Sequence, residues 1–284
     1  MQRTHVSIVL AVFFFRMRVT FWGVRGSVPW ATPASIGYGC NTPCVEVRND
    51  ETGDVLILDA GSGIVGIGQS LESRPRPVPV LLTHYHWDHM QGLPFFDPFY
   101  KTGYQTEIWA PRLGQIDAAW VATIFQNPFY PVPYDTLPSK PSLHLLNGQE
   151  TEVGGFRVGA QPLNHPGGAL AFRVRGASGD LVYATDHELG NTAYDEALAA
   201  FERGAGAIIL DAHFTPEELP AHRGWGHSSW RQCAEFAAVN DIGQLWLFHH
   251  RPGRTDAEVA AIETAADTVF AGTRAAREGL TFEV

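Results

Sequence analysis

Residues 84 to 89 read His84-Tyr85-His86-Trp87-Asp88-His89 and follow the apolar run Val78-Pro79-Val80-Leu81-Leu82. A short apolar run bounded by turn-prone residues reads as a buried strand. This one ends in a cluster of imidazoles and a carboxylate, the usual protein ligands of zinc and its first-row neighbours. If the strand continues as far as His86, then His84 and His86 project to the same side of it. Asp88 and His89 follow where Gln91-Gly92-Leu93-Pro94 turns the chain. The first pair can then serve one ion and the second pair a neighbouring ion. Four donors do not complete two four-coordinate sites. The fold must therefore bring further ligands to this strand end.

Further donors stand at the ends of later strand-like runs. His165 follows Gln161-Pro162-Leu163-Asn164, and Asp186 follows Leu181-Val182-Tyr183-Ala184-Thr185. Asp211 follows Ile208-Ile209-Leu210, and His249 follows Leu245-Trp246-Leu247-Phe248. Loops at strand ends commonly carry functional groups. A single histidine in such a place is more often structural than a ligand, but several of them downstream of a dense cluster reverse those odds. His5, His144 and His222 lack a strand-end setting. His187 and His213 adjoin functional positions and are candidates for substrate contact.

Strand-like runs are expected at Val19–Trp22, Cys44–Val47, Val55–Leu58, Val78–Leu82, Thr106–Trp109, Phe156–Ala160, Ala169–Val174, Leu181–Ala184, Ala207–Leu210, Leu245–Phe248 and Leu280–Val284. Helical patterns are expected at Ile64–Ser73, Arg112–Phe125, Ala193–Arg203, Ser228–Val239 and Asp256–Ala271. With 284 residues, 45% hydrophobic, the chain can build a large core. The mixture predicts sheets buried under helices in a layered α/β domain. A formal charge of -10 disfavours a broad non-specific grip on nucleic acid. Residues 126–141 are rich in proline and aromatic side chains. They read equally as a lid over a site and as a surface loop packed by its own aromatics; a homodimer contact is a further use for that stretch.

Cys40, Cys44 and Cys233 are an odd, low count, which points to free thiols in a reducing compartment, the cytoplasm. No nearby histidine or second cysteine pair completes a four-ligand site with Cys40 and Cys44. Ile8–Phe15 resembles a short secretory core but lacks a small-residue cleavage site and is too short to span a bilayer. Residues 1–16 read as a dispensable extension ahead of a single domain over 17–284, with no other segment able to cross a membrane.

The pattern His84-x-His86-x-Asp88-His89, with His165, Asp186 and His249 in that order, resembles the metallo-β-lactamase superfamily. The resemblance runs from Met17 to Val284. It includes Gly23-Val24-Arg25-Gly26-Ser27, Leu58-Asp59-Ala60-Gly61-Ser62-Gly63, Gly92-Leu93-Pro94-Phe95-Phe96 and Gly226-His227-Ser228-Ser229. It implies a four-layer αββα sandwich with metals at one edge, between two sheets. It implies that His84, His86 and His165 hold a first ion, that Asp88, His89 and His249 hold a second, and that Asp186 bridges both. His249 is preferred to His250 because it directly follows the strand. Zinc suits this donor set, as do manganese and iron(II).

Thr185-Asp186-His187 lacks the cysteine often found near that position in β-lactam-hydrolysing members. A bridging carboxylate is similar instead to two-metal branches: thioesterases, lactonases, phosphodiesterases and ribonuclease Z. Gly226-His227-Ser228-Ser229 resembles the His-Ser-Thr segment of ribonuclease Z and cyclic phosphodiesterases. Paired ions can bring a shared water toward neutral pKa and neutralise a phosphoryl oxygen. His227 is then the candidate proton donor, because histidine titrates near neutral pH. Asp211 is the candidate to orient it or to relay charge with Asp88, and Asp59 is a candidate acceptor for a ligand imidazole's second N–H. The resemblance implies a binuclear hydrolase of small phosphodiesters such as cyclic nucleotides. Ribonuclease Z-like tRNA processing, for which residues 93–164 lack a basic arm, and thioester or lactone hydrolysis are the alternatives. A metal-free binding protein on the same fold fits worse, since every ligand position is filled.

Overall fold

The computed structural model describes residues 16–72, 76–146, 148 and 150–284. Apart from Arg16, the proposed N-terminal extension lies outside the described residues. The first half of the chain contributes β1 (Met17–Gly23), β2 (Cys44–Asn49), β3 (Val55–Leu58), β4 (Pro77–Leu81), β5 (Gln105–Pro111) and β6 (Ser142–Leu146). The second half contributes β7 (Thr151–Val153), β8 (Phe156–Leu163), β9 (Ala169–Val174), β10 (Leu181–Ala184), β11 (Ala207–Asp211), β12 (Leu245–Phe248) and β13 (Thr273–Ala275). A last strand, β14 (Thr281–Glu283), returns to pair with β1. The two sheets have the orders β14-β1-β2-β3-β4-β5-β6 and β13-β12-β11-β10-β9-β8-β7.

Period-two alternation assigns each strand face to a layer. In β12, Trp246 and Phe248 face the core between the sheets, while Leu245 and Leu247 face the helices. In β3, Leu56 and Leu58 face inward, and Val55 and Ile57 pack under α1 (Ile64–Ser70). Both faces of each sheet are covered, so these strands read as continuous apolar runs. Fully burying each large side chain contributes roughly 1.5–3 kcal/mol. Helices α3 (Thr192–Glu202), α4 (Trp230–Val239) and α5 (Asp256–Asp267) cover the second sheet. The result is the expected four-layer αββα sandwich.

Strands β3 to β6 run parallel, as do β10 to β13. β8 and β10 are each antiparallel to β9, so β8 points the same way as β10. Crevices outside the carboxyl ends of parallel strands are where open α/β sheets place ligands. Backbone links close this edge across the sheets, among them Leu170 N–H to Thr83 O at 3.0 Å, His250 N–H to Val24 O at 2.9 Å and Gly26 N–H to His250 O at 3.0 Å.

Two expectations need correction. The helix expected over Arg112–Phe125 is a 3-10 segment over Ala118–Phe125 only. Leu113 and Ile116 instead close a local turn through paired backbone bonds, which leaves no room for a helical first turn. β4 ends at Leu81, so His84 and His86 do not alternate on a strand; both lie on the connection to the single-turn helix α2 (Trp87–Met90). The 126–141 stretch packs against aromatics that precede it: Tyr130 and Tyr134 each meet Phe125 edge-on, at 6.0 and 5.4 Å, and Tyr130 meets Phe95 at 5.7 Å. Among the described residues, no helix is long and apolar enough to cross a membrane.

Candidate metal centre

The carboxyl ends of β4, β8, β10, β11 and β12 deliver one constellation. His84, His86, His165 and Asp186 offer ligand atoms within 4.8 Å of one another, as do Asp88, His89 and His249. Asp186 lies between the two groups. Its Oδ2 is 3.8 Å from His84 Nε2 and 3.6 Å from His165 Nε2. Its Oδ1 is 3.2 Å from His89 Nε2 and 3.3 Å from His249 Nε2. One carboxylate therefore turns one oxygen to each group. Asp88 Oδ2 is 3.2 Å from His249 Nε2 and 3.4 Å from His89 Nε2. His86 is the exposed member, at the mouth. His250 is turned away and bonds Ala276 O through Nε2 at 2.9 Å; burial pushes its imidazole down to about 3.

The outer hydrogen bonds fix which nitrogen of each ring faces inward. His89 Nδ1–H donates to Asp59 Oδ2 at 2.8 Å, and Tyr183 O–H donates to the same oxygen at 2.8 Å. Thr83 O–H donates to Asp59 at 3.0 Å, so its oxygen accepts from His84 Nδ1–H at 2.9 Å. His165 Nδ1–H donates to Gly226 O at 2.9 Å. The Nε2 atoms of His84 and His89 are buried with no hydrogen-bond partner. Buried polar nitrogens are rarely left bare, and bare imidazole nitrogens facing carboxylate oxygens are what a cation requires. Burial holds His84, His86 and His165 below their ordinary pKa, in the neutral form that binds metal. Burial would raise the Asp88 and Asp186 carboxyls, but the surrounding imidazoles outweigh it and keep both ionised. The donor set fits divalent cations.

A second layer lies beside this one. His227 Nδ1–H donates to buried Asp211 Oδ2 at 2.5 Å and lies 3.9 Å from Asp186 Oδ2. Burial alone would lower the His227 pKa, but the Asp211 carboxylate overrides it and raises the imidazole to about 9. The His227 ring stacks on those of His213 at 4.6 Å and His249 at 5.0 Å, which are themselves 5.3 Å apart, so the three imidazoles form a triangle. His213 is fixed by a bond from its Nδ1 to His249 O at 3.0 Å. His187 is buried, with Nδ1 accepting from Asn164 N–H at 3.1 Å, and braces the His165 loop from behind. His144 stacks on Trp109 and His222 on Phe214, outside the cluster. Three contributors were given no role from the sequence: the Ser27 N–H, which donates to Asp88 Oδ2 at 2.7 Å; the Tyr183 hydroxyl; and the Gly226 carbonyl, although Ser27 and Gly226 lie in motifs that carry the resemblance.

A family model described as a β-lactamase superfamily domain matches residues 55–250. The chain belongs to that superfamily. It is also similar to a ribonuclease Z of Bradyrhizobium diazoefficiens, 23% identical over 92% of this chain and 97% of the relative. Among solved structures it shares its fold with the metallo-β-lactamase fold protein YhfI from Bacillus subtilis, with TM-score 0.69, 19% identity and coverage of 95% and 100% of the two chains. It shares it equally with a diphosphatase from the PhnP family, with TM-score 0.70, 18% identity and coverage of 96% and 98%.

Proposed function

We propose that the chain hydrolyses small phosphodiesters, cyclic nucleotides among them, at a two-metal centre. The coarser statement stands on the superfamily and the cluster: it is a metal-dependent hydrolase. In the finer reading, His84, His86 and His165 hold one ion and Asp88, His89 and His249 the other, with Asp186 shared. Zinc is the first choice, with manganese or iron(II) as alternatives. Such ions, when bound, activate water and neutralise charge on a phosphoryl oxygen.

The His227–Asp211 pair carries the choice of phosphorus over carbon. Expelling an alkoxide from phosphorus calls for a proton donor. Asp211 holds His227 by Nδ1 and favours its protonated form, which leaves Nε2–H to donate to the departing oxygen. The stacked rings of His213 and His249 fix its plane. Asp88 is pinned by the Ser27 N–H. The three free thiols suit the cytoplasm.

Purified full-length protein loaded with zinc, manganese or iron(II) should turn over bis(p-nitrophenyl) phosphate and at least one cyclic nucleotide; no turnover with any of the metals would sink the proposal. His227→Ala should lose about 10²- to 10⁴-fold in rate while keeping both ions. Loss of metal in that variant would make His227 a ligand instead. Asp186→Ala should carry fewer than two ions per chain and be inactive. If it keeps two ions and full rate, the shared-carboxylate assignment is wrong. The ribonuclease Z relative favours a second reading, tRNA 3′-end cleavage. The charge of -10 opposes it. Failure to cut precursor tRNA at low salt removes it.

A further inference from the structure

We propose that Trp87 and Trp225 form a stacking site for a planar heteroaromatic base, so that the substrate is a nucleoside phosphodiester rather than a sugar or glycerol one; this rests on the phosphodiesterase reading. Trp87 opens α2 between His86 and Asp88 and is 54% exposed, while Asp88 and His89 beside it are buried. Trp225 lies between Gly224 and Gly226 and is 62% exposed. The Gly226 carbonyl accepts from His165 Nδ1 at 2.9 Å, and His165 Nε2 is 3.0 Å from His86 Nδ1. Trp87 and Trp225 are therefore each one residue from a group of the first ligand set or its direct partner, on separate elements, at the end where His86 opens to solvent.

A single exposed tryptophan needs no explanation, but Trp225 is held in place. The Glu188 carboxylate accepts from Gly224 N–H at 2.8 Å and from Gly226 N–H at 2.9 Å. Trp225 N–H donates to His222 O at 3.1 Å, and its ring meets His222 edge-on at 4.8 Å. His222 is itself stacked on Phe214 at 4.5 Å. Gly224 and Gly226 have φ of +84° and +88°, a backbone only glycine adopts freely, so the loop shape is built into the sequence. A large aromatic face fixed in advance yet left uncovered loses little freedom when something stacks on it. An indole offers a flat π-face, and a nucleobase offers one in return. A phosphodiester seated in the cluster would carry its substituent past His86 into this space. Glu188 is a positioning residue, acting through the loop.

Calorimetric titration of the metal-loaded full chain with AMP and with ribose 5-phosphate separates base from phosphate. AMP should bind about ten-fold tighter or better, since stacking one base is worth roughly 5- to 150-fold. Trp225→Ala and Trp87→Ala should each cut that ratio about five-fold or more, with metal content unchanged. Trp225→Phe should retain most of it. Glu188→Ala should lower the ratio, and Glu188→Gln, which can still accept a hydrogen bond, should restore it. Equal affinity of the wild type for the two ligands, or equal weakening of both by Trp225→Ala, overturns the proposal. Turnover of 2′,3′-cyclic AMP and of glycerol 1,2-cyclic phosphate is read separately. If neither is hydrolysed, the phosphodiesterase reading falls, while the AMP to ribose 5-phosphate ratio still decides the stacking site on its own.

Discussion

Asp59, Asp186 and His249 share a backbone feature that ties them to the centre. Their φ angles are +60°, +58° and +59°, in the left-handed region where a side chain costs roughly 1–2 kcal/mol. Such strain persists where surrounding contacts over-determine it, as it does in functional sites. Each of these residues ends a strand and turns its side chain back toward the crevice. Gly26 shows how little slack is left. A Cβ there would stand 2.4 Å from His249 Cε1 and 2.9 Å from His213 Nδ1. Neither ring has room to yield, because His213 bonds His249 O and both stack on His227. Gly26→Ala should therefore fold and keep the first ion, but weaken the second by about 10- to 100-fold, the usual cost of disturbing what orients a ligand. Metal titration monitored by competition with a chelator reads it; two ions bound as tightly as in the wild type would show that His249 has slack after all. The residues that cluster here and their order were legible in the sequence because they are dense and strand-terminal. The Tyr183 hydroxyl on Asp59, 124 residues apart, was not, because nothing local marks a tyrosine in a strand as a donor.

At the scale of elements, strands were legible where apolar runs met turn residues, the helix α3 by apolar spacing alone, and the helices α4 and α5 where apolar spacing met a cap. Ser229 and Thr255 each form reciprocal capping boxes, with Gln232 and Glu258. β6, β7 and β13 escaped notice, being short and partly polar. The connection from β4 to α2 shows a right grouping reached by the wrong geometry: His84 and His86 share a site because a loop brings them together, not a strand. α3 carries one element-scale liability. Its last residue, Glu202, is fully buried with neither carboxylate oxygen hydrogen-bonded. Burial raises its carboxyl from 4.5 to about 8 despite Arg173 nearby. A raised pKa means that the folded state holds the proton more tightly than the unfolded chain. The stability this contributes is complete below pH about 4.5 and is lost as pH rises through about 8. The loss amounts to up to about 5 kcal/mol. Glu202→Gln should flatten the fall in stability between about pH 5 and 8, measured by urea unfolding at each pH. An unchanged slope would mean that the carboxylate ionises with a partner or water inside the fold.

At the scale of the molecule, the centre joins the two sheets. His84, His86, Asp88 and His89 leave the first sheet after β4, while His165, Asp186 and His249 leave the second after β8, β10 and β12. The sandwich core has no covalent link between its layers; Cys40, Cys44 and Cys233 are all free. Ions held by both sets of ligands would clip the sheets at one edge and bind only the folded chain. A ligand of that kind stabilises by about 2.7 kcal/mol at a hundred times its dissociation constant. Two such ions would contribute about 5 kcal/mol. A chain of this size shifts its melting temperature by roughly 2–4 °C per kcal/mol. Stripping metal with a chelator should therefore lower the melting temperature by on the order of 10 °C or more, and adding back zinc or manganese should restore it. The loss should be much smaller in Asp186→Ala, which starts without a full centre. A melting temperature indifferent to chelator in the wild type would mean that the buried, unpartnered nitrogens of His84 and His89 are tolerated without an ion, and the two-ion assignment would fail at its structural root.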